Sequence, residues 1–255
     1  MAMRLVVSFD GHFELSCKEY IFIFKDRTFK IVKGEDHGTN KIITITDGSD
    51  EEYEQAMEDI LSFFNYMAWE HGIGFTYVSS YGAGLPDNIK LESIKVDVKD
   101  PVNHRGTLVI LGYCPPVKNE TQEVALGLYN EALVTENVFF RTINFWKILC
   151  IPPLGQKKSN PIEWINNNLA RIHQQDNFKE LIRGKKNIGK YIYDEYRNAL
   201  HHIERKPTLY PTKLRDRLKV AIVSWVMRDL AGLYIREGLQ LKNSSEKLEI
   251  LSTIS

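Results

Sequence analysis

No apolar run in this chain of 255 residues approaches the ~20 needed to span a bilayer, so no membrane-spanning helix is expected. The opening stretch Met1-Ala2-Met3-Arg4-Leu5-Val6-Val7 reaches Ser8-Phe9-Asp10 before a secretory apolar core can form, and no leader is expected. Cysteine is scarce. Cys17, Cys114 and Cys150 are odd in number and far apart, which excludes a disulfide framework and a cysteine zinc site and makes a reducing, cytoplasmic setting the simplest reading. His12, His37, His71, His104 and His173 are scattered without ligand spacing. There is no P-loop and no serine-hydrolase elbow. Gly82-Ala83-Gly84-Leu85-Pro86 holds a G-x-G, but no third glycine or helix follows, and Pro86 marks a turn. Internal repeats and low-complexity tracts are absent. Neither a cofactor nor a metal is expected.

Charge of one sign is also lacking overall, since 33 Lys and Arg balance 33 Asp and Glu, but the balance is uneven along the chain. Residues 1–118 hold 12 basic and 18 acidic residues; residues 119–255 hold 21 and 15. The stretch from Lys179 to Lys219 carries 12 basic residues against 5 acidic ones. An acidic half beside a basic half points to two domains and to an anionic partner for the second. Solvated helix faces are the plainer explanation of the same counts. A hydrophobic content of 43% is enough for a full core in each half.

The expected architecture is α+β, with a strand-rich domain at 1–118, a helical bundle at 119–240 and a polar tail at 241–255. Leu5 to Phe9 reads as a strand. Tyr20-Ile21-Phe22-Ile23-Phe24 and Thr28-Phe29-Lys30-Ile31-Val32 flank Lys25-Asp26-Arg27 as a hairpin, and Ile42 to Thr46 is β-branched. Ser49 followed by Glu52 opens an amphipathic helix, whose stripe runs through Tyr53, Ala56, Met57, Ile60, Leu61, Phe64, Met67 and Ala68. Glu51, Glu54, Glu58 and Asp59 fall mostly outside that stripe, and His71-Gly72 stops the helix. Strand-like segments return at 75–78, 94–98 and 107–111. The aromatics Phe22, Phe24, Phe29, Phe63, Phe64 and Trp69 sit at core spacings rather than as base-stacking platforms.

Cys114-Pro115-Pro116 marks the boundary. Beyond it one long helical pattern runs from Thr121 to Leu149, closed by Pro152-Pro153-Leu154-Gly155. Asn160, Pro161 and Glu163 start a second helix, and a short element surrounds Phe178 to Ile182. The third main helix carries Ile188, Ile192, Tyr196, Leu200 and Ile203. A fourth runs from Thr212 to Glu237, apolar around much of its circumference through Leu214, Leu218, Ile222, Trp225, Val226, Leu230 and Leu233.

The third helix holds Arg197-Asn198-Ala199-Leu200-His201-His202. A histidine moves protons near neutral pH, and a guanidinium fork holds a phosphate. Adjacent histidines point about 100° apart on a helix and rarely chelate one ion together, so a metal site there is not expected. An Arg and two His near a helix end are also ordinary companions of the helix dipole.

This R-N-x-x-x-H pattern resembles that of HEPN-domain ribonucleases. The wider stretch Tyr193-Asp194-Glu195-Tyr196-Arg197-Asn198-Ala199-Leu200-His201-His202 is similar to the ApeA-like and MauJ-like branches, which pair a variable N-terminal domain with a C-terminal HEPN bundle. The resemblance covers roughly 119–240 and implies a homodimer with one composite cleft. It also implies metal-independent cleavage of single-stranded RNA to 2′,3′-cyclic phosphate and 5′-hydroxyl ends, in a defence, toxin or stress system. On that basis His202 is the acid/base, Arg197 the phosphate holder, and Asn198 orients the phosphate or the histidine by hydrogen bonding. Asp194 is the expected partner of the guanidinium, and His201 a second proton carrier. Lys190, Arg205 and Lys206 are the expected contacts to RNA phosphates. Glu204 stands where a toxin branch has a tyrosine two residues after the histidine, so the nucleotidylation control of that branch is not expected. The alternative is a catalytically silent RNA- or nucleotide-binding dimerisation module, with residues 1–118 as a sensor of a ligand or protein.

Overall fold

Lys25 and Asp26 both take left-handed backbone angles, with φ of 48° and 62°, the geometry of a two-residue turn matched to strand twist. The turn joins β3 (Glu19–Phe24) to β4 (Arg27–Val32), with Phe24 opposite Arg27. Arg27 is therefore the first residue of the return strand and not part of the turn. In this computed structural model the residues described are 3–10, 14–15, 18–34, 39–84, 107–108, 117, 119–201 and 209–241. The strand expected at 94–98, the residues beyond 108 in the one expected at 107–111, and the Cys114-Pro115-Pro116 boundary lie outside them.

The described chain divides into two units, the second spanning Asn119–Leu241. In the first, β1 (Met3–Asp10) pairs antiparallel with β5 (Asn40–Thr46) on one side and β6 (Thr76–Gly84) on the other, giving a five-stranded sheet of order β3-β4-β5-β1-β6. β2 (Glu14–Leu15) and β7 (Thr107–Leu108) form a separate short parallel pair. Between β5 and β6 runs α1 (Asp50–His71), capped by the Ser49 hydroxyl accepting from Glu52 N and ended at Gly72 with φ 66°. Glu52 does not complete a capping box, because its carboxylate pairs with Arg27.

α1 covers one face of the sheet through aromatics. Phe64 lies 4.8 Å from Phe9, and Phe63 lies 4.4 Å from Phe22 and 5.7 Å from Phe24, ring to ring. Phe22, Phe24, Phe29, Phe63, Phe64 and Trp69 are all buried, as core spacing predicts. The stripe itself is rotated from its sequence reading: Phe63 and Tyr66 are buried, Leu61 is exposed, and Asp59 is 3% exposed. Asp59 is inside because Arg27 reaches it from the sheet, Nε donating to Oδ2 at 3.1 Å, while Gln55 Nε2 donates to Oδ1 at 3.1 Å. Asp59→Ala leaves the half-buried Arg27 with Glu52 alone and is expected to cost about 3 kcal/mol. A urea midpoint equal to that of the wild type would contradict this pairing.

The second unit is helical: α2 (Glu120–Val134), α3 (Val138–Cys150), α4 (Pro161–Asn168), α5 (Asp176–Leu181), α6 (Ile188–Ile192), α7 (Asn198–His201) and α8 (Leu214–Glu237). The long helix expected over 121–149 is two helices. Asn137 turns out of helical geometry and its side chain accepts from Phe139 N, starting α3 afresh, while Arg141 donates back to Thr135 O and fixes the break. With short α5 set apart, the motif segment consequently lies on the fourth main helix of this unit, where the sequence reading has it on the third. α3 and α8 pack together, and Phe145, Ile148 and Leu149 of α3 and Val223, Met227, Leu230 and Ala231 of α8 are buried. Gln122 Nε2 donates to Leu239 O at 2.8 Å, and the Tyr234 hydroxyl donates to Ile151 O, so both ends of α8's last turn are tied to the helices beside it. Among the described residues no helix is long and apolar enough to cross a membrane.

Candidate active site on the motif helix

The motif segment is seated by asparagines and one glycine. Asn187 caps α6, its side-chain oxygen accepting from Lys190 N at 2.8 Å and from Asn166 Nδ2 at 2.9 Å. Asn166 in turn accepts from Gly189 N at 2.8 Å, stitching α4 to α6. A Cβ at Gly189 would stand 2.2 Å from Ile162 O, so only glycine lets the two backbones approach this closely.

From Tyr193 to Arg197 the helix widens into a π turn, with Asn198 N donating to Tyr193 O, before α7 resumes. Such single turns of i→i+5 bonding re-aim the side chains they carry. Arg197 closes the turn. Its Nη1 donates to Asn198 Oδ1 at 2.9 Å. Its Cζ lies 5.4 Å from the centroid of the Tyr193 ring, and that ring lies 5.6 Å from Trp146 of α3. Trp146 is 4% exposed. The Cys150 thiol, one turn further along α3, is pushed up by desolvation, an effect that Arg197's charge opposes. Among the described residues Arg197 Nε is buried without an acceptor, and no carboxylate pairs with the guanidinium. A cation so held keeps its full charge for an anion.

The expected partner of Arg197 is engaged elsewhere: Asp194 Oδ2 accepts from Lys190 Nζ at 2.7 Å. Lys190 stands four positions before Asp194, the spacing of a helical pair, whereas Asp194 and Arg197 both lie within the π turn. Lys190 itself stays well exposed, in a pair that surface solvation makes weak. His201 closes α7 as helical backbone. His202, Arg205 and Lys206 lie outside the described residues. Tyr193 and Trp146, which shape the arginine's surroundings, went unremarked for that role in the sequence reading. The available signal was Tyr193 itself, one helical turn ahead of Arg197, at a spacing suited to a cation over a ring. Tyr196, buried behind the turn, has its hydroxyl pushed well above the usual phenol range by desolvation and by its bond with Tyr191.

A cavity of about 390 Å³ opens elsewhere on this unit, lined by Pro153, Trp164, Tyr234 and Glu237 among others. Neither Arg197 nor Asn198 lines it. Among the described residues no group of His, Cys, Asp and Glu is arranged to hold a metal ion.

Compared with known proteins, residues 125–236 match the family model described as methylamine utilization protein MauJ. The C-terminal unit is a MauJ-type, HEPN-like domain. The match takes in α3, the π turn and most of α8, and leaves the sheet-bearing unit outside it. No match was found among curated proteins or solved structures.

Proposed function

We propose that the MauJ-type domain is a metal-independent endoribonuclease acting on single-stranded RNA, with tRNA among its substrates, in a cytoplasmic stress or defence setting. The observation that carries this reading is the Arg197 guanidinium: half-buried, oriented from two sides and paired with no described carboxylate. Negative charge grows on the phosphoryl oxygens as the ribose 2′-oxygen attacks the adjacent phosphorus. A fixed, unneutralised fork stabilises that charge. His202 takes the 2′-hydroxyl proton or gives one to the departing 5′-oxygen, and His201 is the second proton carrier. Asn198 acts through the arginine that it holds. Lys190 exchanges Asp194 for an RNA phosphate at little cost, and Arg205 and Lys206 extend the same basic track.

The acting species is a homodimer. Leu214, Leu218 and Trp225 recur on one face of α8 at helical spacing and stand 70%, 56% and 45% exposed, an apolar stripe that a second copy would cover. Leu218→Glu is expected to convert the dimer to monomer by light scattering at micromolar concentration; a monomeric wild type would contradict the dimer. The sheet-bearing unit is the place for a regulatory ligand or protein.

The test is incubation with total RNA and tRNA in EDTA, followed by end analysis. The reading requires 5′ ends that accept phosphate directly and 3′ ends blocked until the cyclic phosphate is opened and the resulting monophosphate removed. Salt-sensitive binding without cleavage would favour a silent RNA-binding module instead.

A further inference from the structure

Among the described residues, what holds Arg197 is unusual for a helix arginine. The ordinary device is a carboxylate one turn away, and Asp194 occupies that position in the sequence. The structure gives Asp194 to Lys190 and sets Arg197 against the face of Tyr193. The difference matters chemically. A carboxylate orients a guanidinium but cancels its charge, and an incoming phosphate would have to displace it. A ring face orients the guanidinium through its quadrupole and leaves the charge whole.

Tyr193 is itself not free to swing. Its ring packs against Trp146 at 5.6 Å with 44° between the planes, and Trp146 is buried in α3. The order of parts is thus a buried indole, a phenol ring and a guanidinium, with Asn198 Oδ1 fixing Nη1 from the side. The π turn brings the parts into register, since Tyr193 opens it and Arg197 closes it.

We propose that Tyr193, backed by Trp146, is a positioning residue that aims Arg197 at the scissile phosphate while leaving it charged. This rests on the nuclease reading for its consequence but not for its geometry. The ring is the active part, and the phenol oxygen is dispensable. Trp146 is too deep in the core for a clean test, so the substitutions fall on Tyr193.

The experiment uses the full chain with Tyr193→Phe and Tyr193→Leu. Side-chain NMR of the Arg197 Nε–Hε group reads the stack directly, with Arg197→Ala assigning the resonance. An upfield ring-current shift is expected in the wild type and in Tyr193→Phe, and its loss in Tyr193→Leu. Steady-state cleavage reads the consequence. Tyr193→Leu is expected to lose roughly tenfold in kcat with KM little changed, and Tyr193→Phe to recover it. A melting temperature within a few degrees of the wild type excludes a merely structural loss. A wild-type Arg197 resonance without the shift overturns the proposal, and so does a Tyr193→Leu variant that loses the shift but cleaves at the wild-type rate. A wild type that leaves all RNA uncut ends the nuclease reading instead, and the spectrum alone then decides whether Tyr193 positions Arg197.

Discussion

Arg197→Lys is expected to lower RNA cleavage roughly 100-fold, although the net charge is unchanged. The lysine keeps a cation at the helix but loses what the structure builds around the guanidinium. It has no planar fork to lie against Tyr193, no second arm for Asn198 Oδ1, and a compact charge that water solvates strongly. Single-turnover cleavage of a short RNA, with KM measured alongside, checks this. The loss belongs in the chemical step, because the fork matters most where charge develops on the phosphoryl oxygens. A lysine variant within about threefold of the wild type would mean that the site needs only a positive charge.

Gly189→Ala is the second large effect, and it acts on the scaffold. The added Cβ would sit 2.2 Å from Ile162 O and 2.9 Å from Ile162 C, atoms of a helix backbone that cannot swing aside. Separating α4 from α6 breaks the bond from Gly189 N to Asn166 Oδ1 and disturbs the Asn166–Asn187 contact that seats the motif segment. The cost is about 3 kcal/mol, read from the denaturant midpoint. Gly232→Ala is the control: its Cβ would meet the Tyr129 hydroxyl at 3.4 Å, an ordinary contact, and stability should change little. Activity should fall further than stability in Gly189→Ala, because the π turn begins one turn beyond the displaced residue.

Local chemistry explains what the sequence made legible. Ser49 and Gly72 bracket α1, and Asn160 with Pro161 starts α4, because capping depends on a residue and its neighbours three positions on. The alternation in 20–24 and 28–32 marks the hairpin for the same reason, though the turn proved one residue shorter. What failed were features set by distant partners. Asp59 looks like a solvated carboxylate until Arg27 arrives from a strand 32 positions earlier. The break before Asn137 is hidden because Val138 and Phe139 continue the apolar pattern of α2, and only the cap reveals that the chain has turned. The π turn has no sequence mark, and with it went the expectation that Asp194 would hold Arg197. Asn198 was readable as an orienting group for the phosphate or the histidine, and the structure has it accept from Arg197; the ring beneath the arginine was readable only as a spacing.

The central claim is that Arg197 and His202 cleave RNA without a metal. The most direct measurement is cleavage of labelled RNA in EDTA by the wild type, Arg197→Ala and His202→Ala, each first shown to be folded by circular dichroism. The account predicts cyclic-phosphate products from the wild type alone. Cleavage at the wild-type rate by either alanine variant would contradict it.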